Sequence, residues 1–292
     1  MAIERKPQAV REYRWQNGKR LRVGERALIM GILNVTPDSF SDGGKYNDVD
    51  RALTHALQMV KEGADIIDIG AESSHPGFVP MSAEKEMTRL APYLQRLAPE
   101  IPVPISVDTF KAQTAEMALT MGADMLNDIW GLQYKEEPGQ MAKVAAKYQV
   151  PIVVMHNQEG TNYFEDIITS IRRFFRESLR LAEVNGLSSQ AIILDPGIGF
   201  GKTWQDNLVV LRRLDELLEY DGQTYPLLLG ASRKSFIGHA LNLPVEERME
   251  ATGAVSVLGL LSGVAIHRVH DVKPIARMCH MMDAILGTEF KA

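Results

Sequence analysis

Residues 151 to 156 read Pro-Ile-Val-Val-Met-His, and residues 191 to 197 read Ala-Ile-Ile-Leu-Asp-Pro-Gly. Both stretches are short apolar runs without strand-like polar alternation, which is typical of β-strands buried on both faces of a sheet. The sequence predicts eight buried strands of this kind, the other six lying at residues 28–35, 65–70, 104–109, 125–129, 226–231 and 266–272.

Longer amphipathic segments with a helical period separate these runs, so each predicted strand precedes a helix. From Asn34 to His270 the repeat averages about 34 residues, close to the length of one βα unit in a closed barrel. We therefore predict a single α/β domain, a (β/α)8 TIM barrel, over residues 28–292. The predicted helices cover residues 49–62, 83–97, 111–121, 140–148, 167–184, 203–220, 246–261 and 273–286, and one more begins near Ser235.

A doubly wound open sheet is the alternative architecture. That fold usually has about five to seven strands and a glycine-rich first turn that binds a dinucleotide. Here the first predicted turn, residues 34–38, reads Asn-Val-Thr-Pro-Asp and lacks those glycines. Eight strand signals without that turn favour a closed barrel.

Residues 1–27 precede the first predicted barrel strand. Within them the stretch Arg-Trp-Gln-Asn-Gly-Lys-Arg-Leu at 14–21 predicts a β-hairpin around an Asn17-Gly18 type I′ turn, with its basic residues facing solvent. The segment lacks the apolar core of a secretion signal, and no run of about 18 apolar residues occurs in the sequence. We expect neither a secretion signal nor a membrane span.

Composition excludes several classes of partner. The 292 residues include 32 Lys and Arg against 37 Asp and Glu, which gives a formal net charge of −5. This balance creates no global attraction to nucleic acid or anionic membranes, so an anionic ligand must be held locally. The single cysteine, Cys279, cannot form an intrachain disulfide or a zinc site alone, which predicts a cytoplasmic location.

Polar residues end nearly every predicted strand. In a (β/α)8 barrel the chemistry lies at the carboxyl ends of the strands, so these residues are candidates for an active site. Because side chains alternate along a strand, Arg268 and His270 share a face, whereas only one of Asn127 and Asp128 can face the barrel axis. The strand-end residues are Asn34, Glu72, Asp108, Asn127, Asp128, His156, Asn157, Asp195, Arg233, Lys234, Arg268 and His270.

Short motifs for other chemistries fail when they are checked. A P-loop ending at Thr203 would need glycine at position 196, and a dinucleotide motif from Gly197 would need glycine at 202; these positions hold Pro196 and Lys202. Residues 230–234 lack the last glycine of a nucleophile elbow, and the sequence has no HExxH motif. Nucleotide binding, serine hydrolysis and zinc hydrolysis are therefore not supported.

The remaining candidates form two complementary subsites. Asp108, Asp195 and Asn127 offer hydrogen-bond acceptors that suit a flat heterocycle with adjacent N–H groups. Lys234, Arg268 and His270 come from the last two strands, where such barrels commonly bind phosphate, next to the helix expected near Ser235.

Seven short motifs in this order resemble those of the pterin-binding family. The resemblance extends from Leu28 to the C-terminus. It implies a transferase that condenses 7,8-dihydropterin-6-ylmethyl diphosphate with p-aminobenzoate in folate biosynthesis, releases pyrophosphate, uses Mg²⁺, forms a homodimer and is a sulfonamide target. The motifs lie at residues 31–44, 68–73, 106–109, 127–129, 194–200, 232–236 and 268–271.

The resemblance also implies roles for individual residues. The diphosphate would bind Asn34, Arg268 and His270, with Asn34 also serving Mg²⁺, and Ser235 would meet the aminobenzoate carboxylate. Loops holding Phe40, Asp42 and Pro76 would close over the site. The pterin would be held by Asp108, Asn127, Asp195 and Lys234, between packing walls formed by Met155 and Phe200.

The second loop departs from the family pattern. Ser74 and His75 stand where the family usually has threonine and arginine. An imidazole is mostly neutral at pH 7 and lacks the guanidinium fork, so we expect weaker or more pH-dependent anion binding by this loop. A non-catalytic paralogue that binds pterin or phosphate, or a corrinoid-dependent methyltransferase pterin domain, are the alternative functions.

Overall fold

The computed structural model describes residues 4–36, 45–72 and 80–287. Eight parallel strands close into a barrel in the order β11-β12-β3-β4-β5-β6-β7-β8, while two short antiparallel pairs, β1 with β2 and β9 with β10, lie outside it. This arrangement confirms the predicted (β/α)8 barrel with an N-terminal hairpin. The strands are β1 (Arg11–Arg14), β2 (Arg20–Val23), β3 (Leu28–Asn34), β4 (Ile66–Gly70), β5 (Ile105–Asp108), β6 (Met125–Asp128), β7 (Ile152–Met155), β8 (Ile192–Asp195), β9 (Glu219–Tyr220), β10 (Gln223–Thr224), β11 (Leu227–Leu229) and β12 (Val264–Val269).

Helices cover the outside of the barrel, as the amphipathic segments predict. Within the described residues, no helix is both long enough and apolar enough to cross a membrane. The helices are α1 (Lys45–Lys61), α2 (Ala83–Leu97), α3 (Ala112–Thr120), α4 (Gln140–Tyr148), α5 (Ile167–Val184), α6 (Trp204–Arg212), α7 (Ser235–Leu241), α8 (Met249–Leu261) and α9 (Val272–Ile285).

The predicted helix over residues 203–220 is wrong beyond Arg212. There α6 ends, and a 3₁₀ turn at Leu214–Leu217 leads into the short β9–β10 hairpin. The buried residues Leu214, Leu217 and Tyr220 recur every third position, a spacing that suits a 3₁₀ turn as well as an α-helix. The apolar pattern therefore could not distinguish the two.

Two layers of side chains fill the barrel interior. Because inward positions alternate along each strand, an inward apolar residue near the start of a strand has its next inward neighbour two positions later, and on several strands that neighbour is polar. Ile66 precedes Asp68 in this way, and Ile266 precedes Arg268. The apolar layer consists of Leu28, Met30, Ile66, Met125, Val153, Ile193, Leu228, Ala265 and Ile266.

The N-terminal hairpin closes the amino end of the barrel. Leu21 and Val23 of β2 are buried and pack on the apolar layer. The turn is not the predicted type I′, because Gly18 alone has a positive φ, 84°, while a type I′ turn also needs one at Asn17. The Gly18 N–H donates to the Trp15 carbonyl at 3.1 Å, as in a type I turn followed by a glycine bulge.

Buried Asp124 fastens this hairpin to the barrel. Its carboxylate accepts hydrogen bonds from Lys19 Nζ, Asn17 Nδ2 and the Ile105 N–H, each at 2.8 Å. Its carbonyl accepts a bond from Trp15 Nε1 at 2.7 Å. Lys19 is therefore withdrawn from solvent, in contrast to the expectation that the basic residues of the hairpin face water.

We expect Asp124→Ala to lower the free energy of unfolding by about 3–5 kcal/mol, because the substitution leaves the Lys19 ammonium buried without its partner. Urea denaturation followed by circular dichroism measures the change. Glu159→Ala is the control, since Glu159 pairs with Lys135 at the surface, where an ion pair contributes at most about 1 kcal/mol. Equal effects of the two substitutions would contradict the role of Asp124.

Candidate active site

Five polar side chains of the barrel interior meet at the carboxyl ends of the strands. Asp68 and Asp108 come from β4 and β5, Asn127 from β6, Asp195 from β8 and Arg268 from β12. The first four are buried or nearly so. The structure thus brings together acidic and basic residues that are up to 200 positions apart in the chain.

Arg268 lies between two carboxylates. Its Nε donates to Asp68 Oδ2 at 2.6 Å, and its Nη2 donates to Asp108 Oδ2 at 2.8 Å. The same Asp68 oxygen accepts a hydrogen bond from Asn127 Nδ2 at 3.1 Å. Asp68 therefore orients both the guanidinium and the amide, and the Asn127 carbonyl oxygen is turned away from it.

Asp108 can change its charge near neutral pH. Burial raises the pKa of Asp108 to about 7, with Arg268 acting in the opposite direction and Asp68 adding to the rise. The carboxylate is therefore held in place by Arg268 while it remains easy to protonate.

Asp195 and Lys234 form the second charged part of the cavity. Asp195 Oδ1 accepts the N–H of Gly197 at 2.7 Å. Burial lowers the pKa of Lys234 to about 8, and the Asp195 carboxylate opposes this shift. Lys234 Nζ donates to the Ile198 carbonyl and lies 4.5 Å from the centre of the Phe200 ring.

An apolar cluster lines one wall of the cavity. It contains the buried residues Phe110, Ile129 and Met155, with Phe200 and Tyr134 packed against them. Met155 and Phe200, which the resemblance predicts as packing walls for the pterin, both belong to this cluster. Aromatic rings and a flexible thioether form a surface that suits a flat heterocycle.

His270 follows β12 and carries a neutral imidazole. Although the residue is exposed, desolvation by the surrounding protein and the Arg268 cation lower the pKa of His270 to about 4, so the ring is neutral at pH 7. Its Nδ1 lies 3.0 Å from Ser232 Oγ, and its backbone N–H donates to the same hydroxyl at 3.2 Å. His270 can therefore offer a hydrogen bond to an anion, and the positive charge must come from Arg268 and Lys234.

Several other strand-end residues have structural partners outside the cavity. Asp128 accepts the N–H groups of Trp130 at 2.9 Å and Leu132 at 2.7 Å, which confirms that it points away from Asn127. Arg233 Nε donates to Asp271 at 2.8 Å. Glu72 is likewise paired, with Lys111 Nζ at 2.5 Å.

Oxygen donors at the mouth of the cavity suit a magnesium ion. A Cβ atom on Gly70 would lie 3.8 Å from both Asn34 Oδ1 and Asp108 Oδ2, so both oxygens lie near the end of β4. Mg²⁺ typically takes one or two protein oxygens and completes its shell with substrate phosphates and water. The described residues contain no cluster of three or more His, Cys, Asp or Glu side chains that could hold a metal by itself.

Other predicted residues lie at the rim or beyond the described chain. Ser235 is exposed at the first position of α7, where the sequence predicted a helix start. The predicted loop residues Phe40, Asp42, Ser74, His75 and Pro76 lie outside the described residues.

Sequence reasoning missed three residues that shape the cavity. Asp68 lies two positions before the last residue of β4, so both positions point to the inward face and side-chain alternation could have identified Asp68. Phe110 follows β5 directly, but an aromatic residue there carries no specific signal. Lys202 Nζ lies 2.9 Å from His156 Nδ1, a contact between distant segments that no local pattern reveals.

Comparison with known proteins agrees with this geometry. The family model described as pterin binding enzyme matches residues 30–270. The dihydropteroate synthase of Bacillus subtilis is 53% identical over 263 residues, which cover 90% of this chain and 90% of the relative.

Solved structures are similar over the same length. A dihydropteroate synthase from Clostridium difficile, crystallised in the presence of pteroic acid, has a TM-score of 0.85 and 49% identity, with 90% of this chain and 98% of that chain covered. The Xanthomonas albilineans enzyme with 4-aminobenzoic acid also has a TM-score of 0.85, at 36% identity, with 94% and 97% covered. The chain therefore belongs to the pterin-binding enzyme family, among the dihydropteroate synthases.

Proposed function

We propose that this chain condenses 7,8-dihydropterin-6-ylmethyl diphosphate with p-aminobenzoate, giving 7,8-dihydropteroate and pyrophosphate. The observation that carries the proposal is that acidic and basic side chains meet in one cavity. Asp108 and Asp195 offer carboxylate acceptors, while Arg268 and Lys234 offer cations. The family membership and the ligands in related structures support the same reaction.

The pterin ring is bound by the inner part of the cavity. Asp195 is deeply buried and can accept two adjacent N–H groups of the heterocycle, which favours a bidentate contact. Asn127 presents its carbonyl oxygen, because its amide nitrogen is committed to Asp68. The ring packs between Met155 and Phe200, and Lys234 donates to the pterin.

The reaction separates opposite charges, and the cavity stabilises both. Breaking the C–O bond to the diphosphate leaves a cationic pterin methylene and an anionic pyrophosphate. Asp108 and Asp195 stabilise the first charge, and Arg268, Lys234 and a hydrogen bond from His270 stabilise the second. The amine nitrogen of p-aminobenzoate then forms the new C–N bond and releases its proton, so a side-chain nucleophile is not required.

Arg268 can bind the leaving group without giving up its position. A guanidinium carries five N–H donors, and the bonds to Asp68 and Asp108 use one on Nε and one on Nη2. The other donors can bind diphosphate oxygens at the mouth of the cavity. Ser235, exposed at the start of α7, is in reach of solvent and is proposed to meet the aminobenzoate carboxylate.

Mg²⁺ is proposed to accompany the diphosphate. Asn34 Oδ1 would hold the ion at the mouth of the cavity, beside Asp108. When bound, Mg²⁺ supplies positive charge against the leaving pyrophosphate.

A second copy of this chain is the proposed partner. Glu250 is the only charged residue of α8, which otherwise consists of apolar and small residues. Leu258 on α8 and Met281 and Ile285 on α9 are 41%, 59% and 55% exposed. Neighbouring exposed apolar residues of this kind support a homodimer formed through residues 246–261 and 273–286.

A turnover assay with both substrates tests the function. We expect stoichiometric pyrophosphate and dihydropteroate, with turnover lost on removal of Mg²⁺ by EDTA and restored by its return. Pyrophosphate that forms without p-aminobenzoate at the same rate would indicate simple hydrolysis. Pterin binding without product would indicate a non-catalytic paralogue.

We expect Asp195→Asn to lower kcat/KM by about 30-fold to several thousand-fold, which corresponds to about 2–5 kcal/mol of transition-state stabilisation. The amide keeps the volume but places a donor against the N–H groups of the pterin. Steady-state kinetics measure the loss. Asp283→Asn is the matched control, because Asp283 is equally buried but binds the Ala27 N–H at the far end of the barrel. A near-normal kcat/KM for Asp195→Asn would show that Asp195 does not belong to the site.

We expect kcat/KM for the pterin substrate to follow a bell-shaped pH profile with limbs near pH 7 and 8. Below about 7 Asp108 gains a proton and loses its role as acceptor, and above about 8 Lys234 loses its positive charge. Lys234→Arg should move the alkaline limb upward, and Asp108→Asn should remove the acid limb from the residual activity. A flat wild-type profile from pH 6 to 9 would contradict both assignments.

A further inference from the structure

A buried lysine outside the substrate contacts holds one wall of the cavity. Lys202 is 7% exposed and directly follows the turn at residues 197–201, here called the glycine turn, which connects β8 to α6. Its Nζ lies 2.9 Å from His156 Nδ1, 2.9 Å from the Gly197 carbonyl oxygen and 3.0 Å from the Phe200 carbonyl oxygen. An ammonium group has three N–H donors, so these three acceptors use all of them.

The contact with His156 ties the turn to the neighbouring strand. Burial lowers the pKa of Lys202 to about 7. In its ammonium form Lys202 donates to His156 Nδ1, and the neutral ring then carries its proton on Nε2. Burial and the Lys202 cation lower the pKa of His156 well below its usual value, which agrees with a neutral ring. The backbone N–H of His156 donates to the Asp195 carbonyl at 2.9 Å, so the ring extends from the junction of β7 and β8.

Three of the five residues of the glycine turn are glycines, so only Ile198, buried in the core, and Phe200 can hold it through side chains of their own. Gly197, Gly199 and Gly201 have φ values of 66°, 84° and 56°, which favour glycine. A Cβ on Gly197 would lie 1.9 Å from the His156 carbonyl oxygen, and one on Gly201 would lie 2.6 Å from Gln158 Cγ. Glycine loses more conformational freedom than other residues when it is ordered, so this turn depends on partners for its backbone carbonyls.

The turn carries groups that face the pterin site. The Gly197 N–H binds Asp195 Oδ1, the Ile198 carbonyl accepts from Lys234 Nζ, and the Phe200 ring joins the apolar wall. Lys202 binds the carbonyls of the first and fourth residues of the turn. Movement of the turn would therefore displace the Phe200 ring and change the hydrogen bonds of Asp195 and Lys234 together.

We infer that Lys202 is a positioning residue for the pterin site, whose ammonium holds the glycine turn so that Phe200 and Asp195 meet the heterocycle in fixed positions. The inference rests on the proposed function, because it assumes that the pterin binds between Met155 and Phe200. Lys202 acts through these residues and does not touch the substrate.

The test compares pterin binding in two lysine variants. Lys202→Met keeps the length and approximate volume of the side chain but removes the ammonium. Lys19→Met is the matched control, because Lys19 is also buried and bound to a carboxylate, but at the opposite end of the barrel. The ligand is 6-hydroxymethyl-7,8-dihydropterin, which lacks the diphosphate, and its Kd is measured by calorimetry well below the Tm of each variant.

We expect Lys202→Met to raise the Kd of this pterin and the KM of the diphosphate substrate at least 10-fold, with the KM of p-aminobenzoate changed less than 3-fold. Lys19→Met should lower the Tm and leave the pterin Kd within 2-fold of wild type. Unchanged pterin binding in folded Lys202→Met, or equal changes in both KM values, would overturn the inference. A wild-type protein that does not bind the pterin would instead refute the proposed function.

A pair of His156 variants keeps the test decisive if Lys202→Met does not fold. His156→Asn retains an acceptor oxygen close to the position of Nδ1, whereas His156→Leu has no acceptor for the ammonium. We expect His156→Asn to bind pterin within 3-fold of wild type and His156→Leu to bind it at least 5-fold more weakly. Equal affinities of the two folded variants would show that the hydrogen bond to Lys202 does not position the site.

Discussion

The ion pairs that join Arg268 to Asp68 and Asp108 determine the arrangement of the cavity. Removing an ion from water costs several kcal/mol even after the protein relaxes, so pairs at this depth are weak evidence for stability. Their value lies in placing unlike charges at fixed positions within a few ångströms of each other before substrate arrives. A reaction that creates a cation and an anion from one bond benefits from groups that are already oriented, because little further reorganisation is needed.

The barrel makes this arrangement possible because the residues that pack its interior and the residues that face the cavity lie at different levels along its axis. The apolar layer and the hairpin residues Leu21 and Val23 fill the amino end, so the strands remain closed without contributions from the cavity. On β4, β6, β8 and β12 the inward position two residues further along carries a polar or charged side chain. One strand can therefore supply a packing residue and a functional residue on the same face, as Ile66 and Asp68 do on β4.

Much of this could be predicted from the sequence because it depends on short periodicities. The strand runs and their polar ends identified the barrel, and side-chain alternation separated Asn127 from Asp128 correctly. The prediction was wrong where two conformations share one pattern, as in the helix that ends at Arg212. The protonation state of His270 could not be predicted, because desolvation by the surrounding protein and a neighbouring cation set the charge of that imidazole, and neither is visible in a local stretch of residues.

The glycine turn forms part of the cavity wall although it is rich in glycine, because hydrogen bonds hold its backbone in place. Lys234 binds the carbonyl of Ile198, and Lys202 binds those of Gly197 and Phe200, so three of the five carbonyls in the turn accept from lysine side chains. Because Lys234 faces the cavity, it can replace part of its hydrogen bonding within the protein with hydrogen bonds to the substrate. Lys202 cannot, because its three donors are already used within the protein, and it therefore keeps the turn in place while Lys234 binds and releases the pterin.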